Sequence, residues 1–228
     1  MNAIILCGGL STRLGEITKD IPKALLDIRG KAMLDWQLEK LNDLGVKEVV
    51  LAAGHLAEVM QQEVGNERGG LKIIYAIEPQ RLGTGGAIKF AWNNYVPDNG
   101  EPTFVLNGDI LAAADFAGMT KFLRPESDGI ILGAKVDDAS TYGVLDFDEN
   151  YHLKQFKEKE GIVEPGYING GIYLFNNKFR NHFPDLDVFS IEYDVFPHAQ
   201  NLDVYASDRP WIDIGKPDRL EWARNNWK

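Results

Sequence analysis

The first third of the chain alternates short apolar runs with longer amphipathic stretches, and this alternation limits the folds that it can adopt. The apolar runs cover residues 3–7, 47–53 and 71–77, and they have the length and composition of buried β-strands. Between them, residues 33–45 place leucines on one helical face, and residues 56–64 form a shorter helical pattern. Strand–helix–strand repeats favour a parallel sheet with ligands at the carboxyl ends of its strands. We therefore predict an α/β fold with a doubly wound, mostly parallel, Rossmann-like sheet.

The second half of the chain has a different periodicity. Residues 129–136 form another strand pattern, and residues 142–148 and 151–156 alternate in polarity as the two arms of a β-hairpin do. We expect residues 137–172 to form an inserted antiparallel subdomain. Because no Pro- or Ser-rich linker sets this part apart, we expect a single domain over residues 1–228.

Composition and charge narrow the classes of function. The chain has 228 residues, a formal net charge of −10 and an apolar content of 44%, which suits one large globular domain. An acidic protein binds nucleic-acid backbones and anionic membranes poorly, so we expect neither as a partner. Because the sequence shows no signal peptide and no apolar span of ~20 residues, we expect a cytoplasmic protein. The single cysteine, Cys7, excludes an intrachain disulfide and fits a packing role.

The first apolar run ends abruptly at Gly8 and Gly9, and basic residues follow it. A strand that leads into a glycine turn directs several backbone N–H groups at one point, and glycine leaves room there for a bulky anion. Arg13 and Lys23 add two positive charges, so the segment suits a polyphosphate. It matches neither the Walker pattern, because Arg13 follows Thr12, nor the dinucleotide fingerprint, which needs a third glycine. A tight turn after a core strand is the alternative.

A fourth apolar run, residues 103–106, ends in Asn107, Gly108 and Asp109. A carboxylate at the tip of a strand in this fold projects into the ligand crevice. Mg²⁺ prefers oxygen ligands and is commonly held by one or two carboxylates together with phosphates. Asp109 is therefore the first candidate metal ligand, and helix capping is its alternative role.

Several motifs resemble the signature of the sugar-1-phosphate nucleotidyltransferases. They are Gly8-Gly9-Leu10-Ser11-Thr12-Arg13-Leu14 with Pro22-Lys23-Ala24, Leu82-Gly83-Thr84-Gly85-Gly86-Ala87, Tyr142-Gly143-Val144, Glu158-Lys159, Asn169-Gly170-Gly171-Ile172-Tyr173 and Trp211-Ile212-Asp213-Ile214-Gly215-Lys216-Pro217. Ser11 stands where that family has glycine, and Ala24 and Glu160 stand where it has proline. Among short members without a β-helix, the chain is most similar to the D-glycero-α-D-manno-heptose-1-phosphate guanylyltransferases. N-acetylmuramate-1-phosphate uridylyltransferases and mannose-1-phosphate guanylyltransferases are close alternatives.

The resemblance implies a role for each motif. Arg13, Lys23 and Asp109 would be catalytic, and Asp109 and Asp213 would hold Mg²⁺ as the cofactor. The residues implied to bind the nucleotide are Leu6, Gly8, Gly9, Ser11, Thr12, Arg13, Lys23, Glu78, Gly83 and Thr84, and those implied to bind the sugar phosphate are Asn107, Tyr142, Gly143, Glu158, Lys159, Asn169 and Trp211. Residues 1–136 would mainly bind the nucleotide. Residues 137–228 would mainly bind the sugar phosphate, with the antiparallel insertion as the substrate-binding subdomain.

The reaction that the resemblance implies joins an NTP and a sugar 1-phosphate into an NDP-sugar and releases pyrophosphate. The sugar phosphate is already ionised at neutral pH, so no general base is needed, and the sequence offers no catalytic triad. Glu78 can accept two hydrogen bonds from guanine but one from uracil or thymine, and a glycine-rich turn at residues 83–86 allows a planar base to approach. GTP with heptose 1-phosphate is the leading candidate pair. UTP or dTTP with N-acetylmuramate or glucose 1-phosphate, and GTP with mannose 1-phosphate, are the alternatives.

Three other functions share parts of the pattern. A nucleotidyltransferase for a different acceptor would share the first loop but need not share residues 142–144 or 211–213. A glycosyltransferase of related topology would normally carry an Asp-x-Asp pair where this chain has one aspartate, at residues 107–109. A non-catalytic nucleotide sensor would not need Arg13, Lys23, Asp109 and Asp213 together, so their joint presence argues against that function. The sequence leaves the oligomeric state open, with a homodimer among the alternatives.

Overall fold

The computed structural model describes residues 1–157, 161 and 163–228. Its strands are β1 (Asn2–Leu6), β2 (Asp27–Ile28), β3 (Lys31–Ala32), β4 (Glu48–Ala53), β5 (Glu67–Arg68), β6 (Leu71–Ile77), β7 (Thr103–Asn107), β8 (Ile110–Ala112), β9 (Gly129–Val136), β10 (Val144–Phe147), β11 (Leu153–Lys157), β12 (Gly166–Phe175), β13 (Leu202–Ser207) and β14 (Trp211–Asp213). Its α-helices are α1 (Met33–Asp43), α2 (Ala57–Val64), α3 (Gly83–Tyr95), α4 (Phe116–Phe122), α5 (Ile191–Asp194) and α6 (Pro217–Asn226). Short 3-10 helices cover Thr12–Thr18, Lys23–Leu25 and Asn177–His182. Among the described residues, no helix combines the length and the apolar character that crossing a bilayer requires.

Parallel strands form the centre of the main sheet in the order β7-β1-β4-β6. They are the four apolar runs of the first half of the sequence. Strands that are covered by helices on both faces are apolar at nearly every position, as these runs are. The predicted α/β fold with a mostly parallel sheet is therefore confirmed.

Helices cover both faces of this sheet. On one face, Leu38 of α1 and Met60 of α2 pack in a cluster that includes Ile5 of β1. On the other face, Trp92 of α3 packs in a second cluster that includes Ile4 of β1. Because successive side chains of a strand point to opposite faces, one five-residue strand supplies both cores. The residues that follow the carboxyl ends of β1, β6 and β7 border a cavity instead.

The long strand β12 joins the parallel part of the sheet to an antiparallel part. Residues 172–175 pair with β7, and residues 166–169 and 173–175 pair with β9, all antiparallel. β10 and β11 form the hairpin predicted from the alternating pattern, and Val144 of β10 pairs with Ile168 of β12. The antiparallel insertion thus exists, and it continues the central sheet through β12 instead of forming a layer of its own.

A small two-stranded sheet brings the end of the chain back to its middle. β14 pairs antiparallel with β8, so that Asp213 is opposite Ile110. Leu220 of α6 packs in a cluster with Leu14 and Leu111. This packing fixes the last strand and helix beside the tip of β7.

Candidate active site

Two adjoining cavities open at the carboxyl ends of the parallel strands. The small cavity has a volume of about 310 Å³ and is bordered by the ends of β1, β6 and β7 and the start of α3. The large cavity, of about 560 Å³, is bordered by β12, β14, the loop before β10 and the start of α6. Asn107 and Asp109 line both cavities, so the tip of β7 is where they meet.

The residues predicted to bind the nucleotide are distributed between these cavities. Those that border the small cavity are Leu6, Gly8, Gly9, Ser11, Lys23, Glu78, Gly83 and Thr84. Arg13 borders the large cavity instead. Thr12 is exposed, and it is not among the described residues that line either cavity. The reason is local, because Thr12 begins a 3-10 helix where the sequence pattern suggested an open loop.

The two glycines of the first turn have different surroundings. A Cβ on Gly8 would lie 2.4 Å from Glu78 Oε1 and 3.2 Å from the Gly54 nitrogen, so this glycine lets the ends of three strands meet. A Cβ on Gly9 would have no neighbour within 4 Å among the described residues. Gly9 is therefore the member of the pair that leaves space for a ligand.

Ser11 holds the first turn in an unusual conformation. Its φ is +54°, in the left-handed region that favours glycine. Its hydroxyl donates a hydrogen bond to the Gly9 carbonyl at 3.4 Å. A residue with a side chain thus occupies the position where the resemblance expects glycine, and the backbone keeps the shape that glycine would adopt.

Two titratable groups of the small cavity are affected by burial. Glu78 Oε2 accepts a hydrogen bond from the Leu82 N–H at 3.2 Å. Burial raises the pKa of the Glu78 carboxyl, while this hydrogen bond and the charge of Arg81 act against the rise. Burial, with a contribution from the charge of Asp109, raises the pKa of the Cys7 thiol to about 12. The thiol therefore stays protonated at neutral pH and does not act as a nucleophile.

Asp109 and Asp213 lie beside each other although they are far apart in the sequence. The pairing of β14 with β8 places Asp213 opposite Ile110, and the Ile214 N–H donates to the Asp109 carbonyl at 2.9 Å. A Cβ on Gly215 would lie 3.0 Å from Asp213 Oδ1 and 3.6 Å from Asp109 Oδ2. The two carboxylates therefore reach the same point at the junction of the cavities.

Basic side chains accompany both carboxylates. Lys23 Nζ donates to Asp109 Oδ2 at 2.7 Å, and Arg219 Nη1 donates to Asp213 Oδ2. Arg13 Nη2 is 3.3 Å from the point that both carboxylates reach. In the part of the chain that the structure describes, no group of three His, Cys, Asp or Glu side chains could hold a metal ion. The donor set fits a divalent cation whose shell is completed by phosphate oxygens and water, not a cage built by the protein alone.

An aromatic wall limits the large cavity. The rings of Tyr142 and Trp211 meet edge to face with their centres 5.4 Å apart, and the Trp211 indole N–H donates to the Gly170 carbonyl at 2.9 Å. The Arg219 guanidinium carbon lies 4.8 Å from the centre of the Tyr142 ring. Burial, followed by the charge of Asp213, raises the pKa of the Tyr142 hydroxyl. This hydroxyl therefore remains a hydrogen-bond donor at neutral pH.

The remaining residues predicted to bind the sugar phosphate are partly structural. Asn107, Gly143 and Asn169 border the large cavity, and Glu158 and Lys159 lie outside the described residues. A Cβ on Gly143 would lie 2.5 Å from the Phe156 ring, so this position needs glycine for packing. Asn169 Oδ1 accepts from the Gly171 N–H at 3.1 Å, and its Nδ2 donates to the Tyr173 hydroxyl at 3.0 Å. The side chain of Asn169 therefore lies where the pairing of β12 with β9 is interrupted, between Asn169 and Tyr173.

Gln37 is a positioning residue that the sequence patterns did not identify. Its Nε2 donates to the Asn107 carbonyl at 2.8 Å and to the Ile110 carbonyl at 3.0 Å, which bracket Asp109. The residue is 4% exposed. An amide beside Leu38 on the apolar face of a helix was the signal that could have revealed it.

Three further charged residues border the large cavity without having been predicted, namely Glu192, Lys216 and Arg219. The sequence places Arg219 in a helix but gives no sign of its partner. The Thr84 hydroxyl donates to Glu192 Oε2 at 2.5 Å. Thr84, which is predicted to bind the nucleotide, is thus hydrogen-bonded to a residue in the wall of the large cavity.

Comparison with known proteins gives a consistent result. The family model for nucleotidyl transferases matches residues 2–227. The chain is 39% identical over 220 residues to the D-glycero-alpha-D-manno-heptose 1-phosphate guanylyltransferase of Campylobacter jejuni, with 96% of each chain covered. It is also 37% identical over 221 residues to the mannose-1-phosphate guanylyltransferase catalytic subunit beta of Drosophila melanogaster. This match covers 94% of this chain and 59% of that relative. The chain thus spans about three fifths of the length of several curated relatives that it matches.

Solved structures agree with this result. HddC from Yersinia pseudotuberculosis, complexed with GMP-PN, superposes with a TM-score of 0.85 at 34% identity, covering 100% of this chain and 99% of that chain. A putative glucose-1-phosphate thymidylyltransferase from Bacillus anthracis superposes with a TM-score of 0.81 at 21% identity over 99% of this chain and 94% of that chain, and shows the shared fold alone. The resemblance stated from the sequence motifs is confirmed over nearly the whole chain. On these grounds, the chain belongs to the nucleotidyl transferase family.

Proposed function

We propose that this chain transfers a nucleotidyl group from an NTP to a sugar 1-phosphate and releases pyrophosphate. The observation that carries the proposal is the meeting of Asp109 and Asp213 where two cavities join, with basic side chains beside them. Such a site can bring two anionic substrates together and offset their repulsion. Charge neutralisation and positioning are the main contributions that proteins make to reactions of this type.

In this proposal the nucleotide occupies the small cavity, whose size suits a small-molecule ligand. The base lies near Glu78 and the turn at residues 82–84, and the phosphates extend towards Lys23 and Arg13. Lys23 has Asp109 as its partner in the structure. A bound triphosphate gives Lys23 a second anionic partner, so the lysine both holds Asp109 and binds the nucleotide.

The sugar phosphate occupies the large cavity. Tyr142 and Trp211 form the wall against which the apolar face of a sugar ring packs. Arg219 and Lys216, at the start of α6, bring positive charge to the phosphate group. This placement directs the phosphate of the sugar towards the tip of β7, where the nucleotide phosphates also end.

Mg²⁺ is the cofactor that this donor set suits best. Asp109 and Asp213 would hold it together with phosphate oxygens, in agreement with the preference of this ion for hard oxygen ligands. When bound, the ion neutralises charge on the phosphates and orients the reacting oxygens. Gln37 keeps the loop of Asp109 in place, and the Gly215 N–H, 2.9 Å from Asp213 Oδ1, keeps the second carboxylate in place.

The reaction needs no proton transfer by the protein. A phosphate oxygen of the sugar 1-phosphate forms a bond to the α-phosphorus of the nucleotide, and the bond from the α-phosphorus to the bridging oxygen breaks. Pyrophosphate leaves with that oxygen. Arg13 and Lys23 stabilise the charge that develops on the leaving group, because positive groups fixed beside a developing anion lower its energy.

The leading substrate pair is GTP with D-glycero-α-D-manno-heptose 1-phosphate. Its support is the 39% identical relative with that name, which has nearly the same length as this chain. A second candidate is GTP with mannose 1-phosphate, supported by the names of relatives at 37–38% identity. Both pairs use guanine, whose two adjacent donors suit the carboxylate of Glu78.

We further propose that the enzyme acts in the cytoplasm, where nucleoside triphosphates are supplied. Residues 1–136 would mainly bind the nucleotide, and residues 137–228 would mainly bind the sugar phosphate. A homodimer is the assembly proposed for the enzyme. Light scattering on the purified chain distinguishes a homodimer from a monomer.

A matrix of pyrophosphate-release assays tests the proposal. GTP, UTP, dTTP, CTP and ATP are each combined with heptose, mannose, glucose and N-acetylmuramate 1-phosphates in the presence of Mg²⁺. The expected result is the highest rate with GTP and the heptose phosphate, with mannose phosphate next. No release with any pair would refute the proposed function, and a maximum with UTP or dTTP would refute the assignment of the base.

A further inference from the structure

Two segments that are distant in the sequence are joined beside the small cavity. The Phe189 N–H donates to the Leu82 carbonyl at 2.9 Å, and the Phe189 carbonyl accepts from the N–H groups of Gly85 and Gly86 at 3.1 and 3.2 Å. The Phe189 carbonyl thus satisfies two of the first four N–H groups of α3, whose N-cap residue, Leu82, makes no capping side-chain hydrogen bond in the described structure. We call residues 82–86 and 187–193 together the clasp.

Glycines allow the two segments of the clasp to touch. A Cβ on Gly83 would lie 2.5 Å from the Phe189 carbonyl oxygen, and a Cβ on Gly85 would lie 2.3 Å from the Phe189 ring. A Cβ on Gly86 would lie 2.2 Å from the Asp187 carbonyl oxygen. No larger residue fits at Gly85 or Gly86 without moving the second segment, so the contact depends on the composition of the turn.

Side-chain hydrogen bonds complete the clasp. Glu192 Oε2 accepts from the Thr84 hydroxyl at 2.5 Å and from the Ser190 hydroxyl at 2.7 Å. Thr84 Oγ1 in turn accepts from the Ile191 N–H at 3.1 Å. Hydrogen bonds to an ionised carboxylate are shorter and stronger than bonds between neutral groups. Glu192 is therefore the acceptor on which the side-chain part of the clasp converges.

The clasp has one segment in each cavity. Gly83 and Thr84 border the small cavity, whereas Glu192 borders the large cavity. Glu192 also acts behind the wall of the large cavity, since burial and then its negative charge raise the pKa of the Tyr173 hydroxyl, which accepts from Asn169 in that wall. The hydrogen bond between Thr84 and Glu192 is thus a direct connection between the two cavities.

We infer that Glu192 is a positioning residue that couples the nucleotide cavity to the sugar-phosphate cavity through Thr84. This inference rests on the proposed function. Loss of either side chain frees both segments, so each substitution weakens the binding of the substrate in the other cavity. Coupling of binding free energies is reciprocal, so bound GTP should change the affinity for the sugar phosphate by the same factor as bound sugar phosphate changes the affinity for GTP.

The test is a double-mutant cycle with Thr84→Val, Glu192→Ala and the double variant, together with Glu192→Gln. Thr84→Val keeps the shape of the side chain and removes its hydrogen bonds, and Glu192→Gln keeps an oxygen that can accept from Thr84. Glu58→Ala, at an exposed position in α2, is the matched control. The KM of GTP, the KM of the best sugar 1-phosphate of the assay matrix, and kcat are measured for every variant.

We expect Thr84→Val to raise the KM of the sugar phosphate and Glu192→Ala to raise the KM of GTP, each about tenfold, as for loss of one hydrogen bond to a charged group. For the effect that depends on the bond between Thr84 and Glu192, the double variant should not exceed the larger single effect, because both substitutions remove that bond. Glu192→Gln should stay within about threefold of the wild type, and Glu58→Ala should be unchanged. If Glu192→Ala fails to fold in a thermal melt, Thr84→Val and Glu192→Gln decide the result.

The inference is overturned if each variant affects the substrate of its own cavity alone, or if the effects of the single variants multiply in the double variant. A wild type that releases no pyrophosphate with any pair would refute the proposed function, and calorimetric titration of GTP would then decide the coupling. In that case, binding of GTP to Glu192→Ala that is about tenfold weaker than to the wild type supports the connection, and equal binding overturns it.

Discussion

Two glycine-rich turns border the small cavity, and they serve it in different ways. At the first turn, a Cβ on Gly9 would meet no atom within 4 Å in the described part of the chain. At the second turn, Phe189 and Asp187 occupy the space beside Gly85 and Gly86. The same residue type thus leaves room for a ligand in one turn and for the protein's own chain in the other.

This difference changes the role inferred for the glycines of the second turn. The sequence alone predicts that residues 83–86 are a place where a planar base approaches the backbone. In the structure, the planar group nearest Gly85 is the ring of Phe189. A glycine-rich segment therefore indicates that another group approaches the backbone closely. It does not identify whether that group is a ligand or part of the protein.

The largest effect should come from Asp109, one of the two described residues that line both cavities. Asp109→Ala should lower kcat by about 10²–10³-fold, because it removes a group that the proposed site aims at the reacting phosphates. Its unfolding free energy should change little, since the side chain lies at a cavity junction outside the core. Asp43→Ala, at the exposed end of α1, is the control. A kcat near that of the wild type would exclude Asp109 from the reaction.

Gly85→Ala tests whether the second turn is filled. The new Cβ would overlap the Phe189 ring, so we expect a loss of about 1–3 kcal/mol in the free energy of unfolding, measured by urea denaturation. Adding Phe189→Leu should recover part of the loss, because a smaller and more flexible side chain can give way. Unchanged stability of the single variant would show that the ring does not occupy this space.

Gly9→Ala tests whether the first turn is open. A Cβ there meets no described atom, so the free energy of unfolding should stay within about 0.5 kcal/mol of the wild-type value. The same Cβ enters the space proposed for the phosphates, so the KM of GTP should rise by up to about tenfold while the KM of the sugar phosphate stays constant. A large loss of stability at Gly9 would remove the contrast between the turns.

The smallest effect concerns Glu78, which touches both turns through Gly8 and Leu82. Because burial raises the pKa of this carboxyl in the folded state, ionising it costs more in the folded than in the unfolded chain. The stability of the wild type relative to Glu78→Gln should therefore fall as the pH rises through the ordinary pKa of glutamate, 4.5, and should level off above the raised value. Urea denaturation between pH 4 and 7 measures this difference. A constant difference, or one that grows with pH, would contradict the burial of this group.

Much of the fold could be predicted because it depends on local patterns. The apolar runs that became β1, β4, β6 and β7 show their burial in their own composition, and the alternation that became β10 and β11 shows a hairpin. The order of these elements then restricts the topology to a mostly parallel sheet. The continuity through β12 could not be predicted, because a strand of ten residues that pairs on both sides has no sequence pattern of its own.

The candidate site could be predicted only in part. Asp109 was found from its place at a strand tip, whereas Asp213 was found by resemblance, since no periodicity shows that β14 pairs with β8. The contact of Glu192 with Thr84, 108 residues away, and that of Arg219 with Asp213 in the preceding strand gave no sequence signal of the partner. Such pairs are fixed by tertiary packing, which a local pattern does not contain.

The pairing of β14 with β8 has a consequence for biosynthesis. The parallel strands and their helices lie early in the chain, and a ribosome delivers them before residue 213 emerges. Domains tend to fold from the N-terminus during translation, so the sheet can form while its second carboxylate is still inside the exit tunnel. A product that is truncated or stalled before β14 would have Asp109 but would lack Asp213. Emergence of β14 is then the step that brings the second carboxylate beside the first.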